Sequence, residues 1–375
     1  MLRVNETALV IPTYHRGPDS PFPPLTFSGR RSGRCPAFPY HSQDDIDIAS
    51  MRPDDACLHR AVVFSNGILE AIVLPDMNGR LYSLRDLRSD REIFYRNHVV
   101  KPALVALRGA WISGGIEFNF PTVGHSVSTV SPVFCRTFQD EVSVGVMLGD
   151  IDRTTRQRWQ VTLRLRADRA ALDVDLAFCN PTDVPERLYY WENAAVPATA
   201  DLRFICRCDW TVGSTSLPFP IRDGIDRSFH LNNPTPLDHF GYRSHADYFG
   251  AYYPDSRVGT YHIAPRLSLP GQKYFTWGTQ EDNRIWQHYL TDNDGQYVEI
   301  QAGLLETQWV TDWLQPQHLL RASGSWFGTE AMAEVTWANR ELAVAVHEAG
   351  GDGLALDLYS IDQRGKGCVR VCHDG

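Results

Sequence analysis

The sequence predicts an all-β protein built on a large antiparallel sandwich. Apolar and polar residues alternate with a period of two along many short runs. Turn signals separate those runs, and no long segment carries a good helical period, the nearest being a weak one over 330–340. The 375 residues are 43% hydrophobic and 11% aromatic, enough for a sizeable core and too many for a disordered chain. One ordinary domain has about 100–200 residues, so the length fits a large β domain with extensions.

Residues 1–55 are rich in Pro, Gly and Arg and poor in strand pattern. They read as an arm packed on the sandwich, with Pro24 and Pro39 fixing extended stretches. Residues 56–328 carry the strand series. Leu163 and Leu165 alternate with Arg164 and Arg166; Leu172, Val174 and Leu176 alternate with Asp173 and Asp175. EVSVGVML and YVEIQAGLL repeat the pattern. DMNG at 76–79, Asn180-Pro181, Pro254-Asp255, Pro270-Gly271 and DNDG at 292–295 mark turns. Residues 329–375 read as a short C-terminal β-element, with LAVAVH, LALDLYS and CVRVCH as three short strands.

The net charge is -9 and the pI about 5.8. An acidic chain matches a phosphate backbone poorly, so no nucleic-acid partner is expected. No run approaches the roughly 18 apolar residues that span a bilayer, and the N-terminus lacks a signal-peptide pattern. No membrane partner and a cytoplasmic location are therefore expected. Cys206 and Cys208 are spaced as alternate strand residues, and Cys368 and Cys372 flank VRV. Neither pair has zinc-finger spacing, so the eight cysteines are expected to be reduced, with no metal and no cofactor.

Three stretches concentrate residues that could carry chemistry. In the first, Gly114-Gly115 allows a bulge or close approach to a ligand. Glu117 and Asn119 share one face of the following strand, a pair that can bind hydroxyls. Trp111 offers a flat face to a pyranose, His125 follows closely, and Arg108 suits either Glu117 or a substrate carboxylate. A bulged rim strand with a satisfied carboxylate would look the same. In the second, Tyr297, Glu299 and Gln301 point one way from a strand whose other face is apolar, a groove or an ordinary solvated face. Trp309 and Trp313 could be stacking platforms or core. In the third, RLYYWENAAV, Glu192 interrupts an apolar run between Trp191 and Asn193, a buried or groove-facing carboxylate. His239, His245, Asp247 and Tyr248 lie in a loop-like region suited to closing over a groove, whereas His262 reads as structural.

KPALVALRGAWISGGIEFNFPTVGH at 101–125 and LSLPGQKYFTWG at 267–278, with the later LTDNDGQYVEIQAG, resemble an uncharacterised bacterial domain family of the galactose-mutarotase-like group. IVLPDMNGRLYSLRD at 72–86 adds to the likeness. The resemblance covers roughly 57–326 and implies an antiparallel super-sandwich with a sugar-sized groove on a concave face. That fold hosts sugar epimerases, accessory domains of glycoside hydrolases and phosphorylases, and parts of polysaccharide lyases, so it does not settle function. Members often precede tetratricopeptide repeats, which this sequence does not contain. Aldose epimerases resemble one another in a late L-E-x-Q-like motif and a mid-chain His. Val298-Glu299-Ile300-Gln301 and Leu305-Glu306-Thr307-Gln308 both resemble the first, and the family strand motif favours Glu299. YYWEN stands where the His would be.

The leading expectation is a carbohydrate-active enzyme that cleaves or transfers a glycosidic bond with two carboxylates, drawn from Glu117, Glu299 and Glu192, at the wider spacing of inverting enzymes. Phe118, Phe120 and Trp111 suggest apolar surroundings that raise the pKa of Glu117, making it the acid and Glu299 the base. The first alternative is an aldose 1-epimerase-like isomerase using Glu299 with His125 or Glu192. The second is a non-catalytic glycan-binding module. Arg108, Trp111, Asn119, His125, Trp191, Asn193, Trp309 and Trp313 would bind the mono- or oligosaccharide. The oligomeric state is open.

Overall fold

A computed structural model describes residues 1–14, 57–102, 112–121, 123–213, 215–350 and 353–363. It is 51% strand and 4% helix. Two large antiparallel sheets stack face to face. The 12-stranded sheet carries, side by side, the strands Leu69–Leu74, Arg80–Asp86, Ile116–Asn119, Trp191–Pro197, Tyr297–Gly303, Gly271–Thr276 and Leu237–Tyr242. The 8-stranded sheet is centred on Val258–Ile263, Leu319–Thr329, Leu172–Cys179 and Arg158–Arg166.

Strand alternation builds the core. Ile116, Phe118, Ala194, Val196, Val298 and Ile300 point from the first sheet toward Val161, Leu163, Leu165, Val174, Leu176, Phe178 and Trp326 of the second. Arg164 and Asp175, from the intervening positions, pair on the outer face at 3.5 Å. Each central strand of the first sheet has a second face, and that face holds the candidate site.

Two expectations need correction. Residues Arg3–Val10, assigned to the arm, form an edge strand paired along its length with Leu58–Ser65. The segment 330–340 has no helix: Met332 and Val335 are buried in a satellite core with Tyr261 and Phe327, and Trp337–Ala338 form a short strand. That strand joins Leu342–Glu348 and Leu354–Ser360 in a three-stranded sheet. Most of the arm and the CVRVCH segment lie outside the described residues. A short helix at Ile285–Leu290 had no counterpart in the sequence reading. No helix among the described residues is long and apolar enough to cross a membrane.

Candidate functional site

Register places one polar row across four adjacent strands. Glu117 pairs with Asn193, Asn193 with Gln301, and Gln301 with Lys273. One step along, Glu299 sits between Ala195 and Phe275, and Phe275 pairs with Asp238. Alternation sends all these side chains to the face away from the core. Ala195 leaves room beside Glu299. Gly271 and Gly303 do the same for Trp191, whose ring lies over them: a Cβ at Gly303 would stand 2.4 Å from it.

From Asn193 to Lys273, with Glu299, the row lines a cavity of about 290 Å³, about the size of one sugar ring and at the small end of ligand pockets. Lys273, Asp238, Asn193, Glu299, Gln301 and His125 supply its polar groups. Its aromatic wall comes from Tyr189, Phe275, Trp277 and Trp286, with Trp277 stacked on Trp286 at 4.6 Å. Lys273 Nζ lies 2.7 Å from Asp238. Asn193 Oδ1 has no hydrogen-bond partner among the described residues, an acceptor left for a ligand.

His125 arrives on the loop after Phe120. Asn119 Oδ1 accepts from the Ser126 amide at 2.7 Å, and the Gly124 amide donates to Tyr189 Oη at 3.1 Å. These bonds hold the loop over the end of the row. His125 Nδ1 then meets Glu117 Oε2 at 2.8 Å, which fixes the orientation of the ring. Just before the Ile116–Asn119 strand, Gly115 adopts φ +63 against Leu81 O, where a Cβ would clash at 1.8 Å.

The two carboxylates differ sharply. Burial would push Glu117 up, but His125, Arg80 at 3.8 Å and the Thr129 hydroxyl at 2.7 Å outweigh it and hold the carboxyl down at about 2. Burial pushes Glu299 up, and its pKa stays raised against the opposing fields of His125 and Lys273. Gln301 Nε2 donates to Glu299 Oε2 at 2.6 Å. Burial also works against the charged form of His125, yet Glu117 and then Glu299 raise its pKa above the ordinary histidine value. The site thus pairs a carboxylate of raised pKa with an imidazole held toward its cationic form.

Glu299, His125 and Asn193 line the cavity, and Glu117 sits behind His125, outside the lining. Asn119 holds the loop, and Trp191 is buried against Phe240 at 5.5 Å as part of its support. The expectation that Glu117 is an acid of raised pKa is reversed. Phe118 points into the core and Phe120 stacks on Phe178 at 4.8 Å, so neither surrounds the carboxyl. Glu192 does not share the cavity. It is fully buried between the sheets, accepting from Tyr190 Oη at 3.1 Å and Trp326 Nε1 at 3.2 Å, with His262 Nε2 also at 3.2 Å. Trp309 and Trp313 are 60% and 49% exposed and lie outside the lining, although Gln308 belongs to it. His239 stacks on Tyr274 at 4.2 Å on the core side, and Tyr248 belongs to the other sheet. Arg108 and Trp111 lie outside the described residues.

Lys273, Asp238, Trp277, Trp286 and Arg80 escaped the sequence reading. The signal for Lys273, Phe275 and Trp277 was their alternation in QKYFTWG, opposite Gln272 and Tyr274. A larger hollow, about 740 Å³, lies elsewhere, at the Arg203–Cys206 strand and the C-terminal sheet. Ion pairs such as Arg203 with Glu334 at 2.5 Å occupy its charged groups, so the smaller cavity, with its convergent polar groups and shifted pKa values, is the candidate site.

Residues 33–327 match the family described as a domain of unknown function, DUF5107, and the chain belongs to that family. Among solved structures it is similar to a TPR-domain containing protein from Parabacteroides distasonis, with 24% identity and a TM-score of 0.77 over 89% of this chain. The chain spans 56% of that protein's length. It is similar to a galactose mutarotase-like protein from Clostridium acetobutylicum at 12% identity, covering 72% of this chain and 96% of that one, with a TM-score of 0.50. The Slr1438 protein from Synechocystis gives 12% identity, 70% and 93% coverage and a TM-score of 0.51. The fold is galactose mutarotase-like.

Proposed function

We propose that the cavity binds one aldose ring and catalyses exchange of its anomers by paired proton transfer. The observation that supports this most is that Glu299 and His125, a carboxylate and an imidazole whose pKa values are both raised, reach one sugar-sized cavity. Glu299, ionised, takes the proton of the anomeric hydroxyl. His125, held toward its protonated form by Glu117, gives a proton from Nε2 to the ring oxygen. The ring C–O bond breaks to give the open aldehyde, the C1–C2 bond rotates, and the reverse transfers close the other anomer. Glu117 keeps His125 charged and fixes its ring without touching the sugar. Lys273, Asn193 and Gln301 are placed to hold hydroxyls, and Phe275 and Trp286 to face the ring.

The glycosidase reading needs a neutral carboxylic acid beside a second carboxylate. Glu299, of raised pKa, suits that acid, but Glu117 does not line the cavity and its carboxylate is engaged by His125, Arg80 and Thr129. The test is a panel of freshly dissolved monosaccharides followed by polarimetry, alongside oligosaccharides assayed for new reducing ends. Faster mutarotation of an aldose supports the proposal. New reducing ends without it would replace it with bond cleavage, and binding without either would leave a sugar-binding module.

A further inference from the structure

We infer that Cys206 and Cys208 form a peroxide-oxidisable dithiol, a modification site apart from the sugar-sized cavity. Their Sγ atoms lie 3.1 Å apart, in contact before any bond forms. The neighbouring backbone is shaped around them. A Cβ at Gly241 would stand 2.6 Å from Cys206 Sγ and 3.4 Å from Cys208 Sγ, so the bare glycine makes the space both sulfurs occupy. Gln272 Oε1 accepts from Cys206 Sγ at 3.5 Å. Both cysteines line the 740 Å³ hollow, which lets a small oxidant approach. No third His, Cys, Asp or Glu of the described residues joins them in a metal-holding group.

The two sulfurs are not equivalent. Either thiol can donate in that contact; the contact, with the Tyr242 and Trp210 amides, lowers the pKa of Cys208 against burial. The same contact, with burial, raises Cys206. We assign Cys208, whose sulfur meets the Tyr242 and Trp210 amides, as the nucleophile, and Cys206, whose proton has Gln272 Oε1 as an acceptor at 3.5 Å, as the resolving thiol. The Cys208 thiolate attacks one oxygen of hydrogen peroxide: an S–O bond forms, the O–O bond breaks, and hydroxide leaves to take up a proton as water. Cys206 then attacks the Cys208 sulfenic acid. The S–S bond forms, the S–O bond breaks, and the Cys206 proton leaves with the hydroxide as a second water. Two thiols and one peroxide become one disulfide and two waters. A thiol reductant reverses this through Cys206, which is half-buried where Cys208 is buried.

The test treats reduced, native wild-type protein with dilute hydrogen peroxide, then blocks remaining thiols with maleimide and digests without reductant. Arg207 lies between the two cysteines, so trypsin leaves their peptides joined only where the disulfide has formed. The expected result is a Cys206–Cys208 link that forms about tenfold or more faster than Cys57, Cys135 or Cys179 is oxidised, and that dithiothreitol removes. In Cys206→Ser, Cys208 should instead accumulate a dimedone-reactive sulfenic acid. Maleimide labelling of both cysteines undiminished by peroxide, or loss no faster than at the other three, would overturn the inference. The wild-type measurement decides this even where the variant does not fold.

Discussion

Nδ1 of His125 and Oε2 of Glu117 lie 2.8 Å apart, and that contact sets the orientation and charge of the imidazole. With Nδ1 engaged by Glu117, the proposed transfer runs through Nε2. Burial alone would lower the pKa of His125; Glu117 reverses the sign. Glu117→Gln keeps the shape and removes the charge. The His125 pKa should then fall below its ordinary value, moving the alkaline limb of turnover to lower pH. At about pH 8, turnover should drop roughly tenfold or more. A side-chain NMR titration of His125 checks the cause directly, and an unmoved titration would remove Glu117 from this role.

Acid stability follows from the same carboxylate. Glu117 sits at about 2 in the folded protein, below its unfolded value. It therefore stabilises the fold above the unfolded value, and this stability is lost as pH falls through about 2, on the order of 3 kcal/mol in all. His125, raised, stabilises below its unfolded value and loses that contribution as pH rises through its folded one. Urea midpoints of the wild type should fall between about pH 5 and pH 2 more steeply than those of Glu117→Gln. Parallel curves would contradict the assignment.

Glu192 tests which face each residue occupies. Glu192→Ala leaves the Tyr190 hydroxyl and the Trp326 indole N–H unsatisfied between the sheets and should cost about 2–4 kcal/mol of stability. Because Glu192 faces away from the cavity, monosaccharide affinity in the folded variant should stay within about twofold. Retained stability with lost binding would place it in the site after all.

Much of the fold was legible in the sequence because alternation is a direct imprint of the pleat. Leu163, Leu165, Val174 and Leu176 are buried where the pattern put them. Glu299 was legible for the same reason, standing with Gln301 on one face of VEIQ. The errors came from dropping that logic. Trp191 and Asn193 share a face, so Glu192 between them had to point the other way. Phe118, next to Glu117, likewise faces the core. What local sequence does not contain is the partner set: Arg80, Thr129 and His125 converge on Glu117 through sheet pairing and a loop. The weak helical period at 330–340 was overridden by burial of Met332 and Val335, while Trp286 came from a short helix with no strong signal.

Gly303 tests the support of the row. A Cβ there meets the Trp191 ring at 2.4 Å, and one at Gly271 meets it at 2.7 Å. Gly303→Ala should cost about 1–3 kcal/mol by overpacking, read as a lower urea midpoint with altered tryptophan fluorescence. Unchanged stability would mean that the ring does not occupy that space.

The central claim, that Glu299 and His125 move protons at one anomeric centre, is tested most directly by polarimetry on wild type and Glu299→Gln with the aldose the wild type turns over. The wild type should accelerate mutarotation with a bell-shaped pH dependence, its acid limb set by the raised Glu299 and its alkaline limb by the raised His125. Glu299→Gln should lose about 10²–10⁴-fold of that rate while still binding the sugar. A Glu299→Gln protein that works at the wild-type rate would contradict the account.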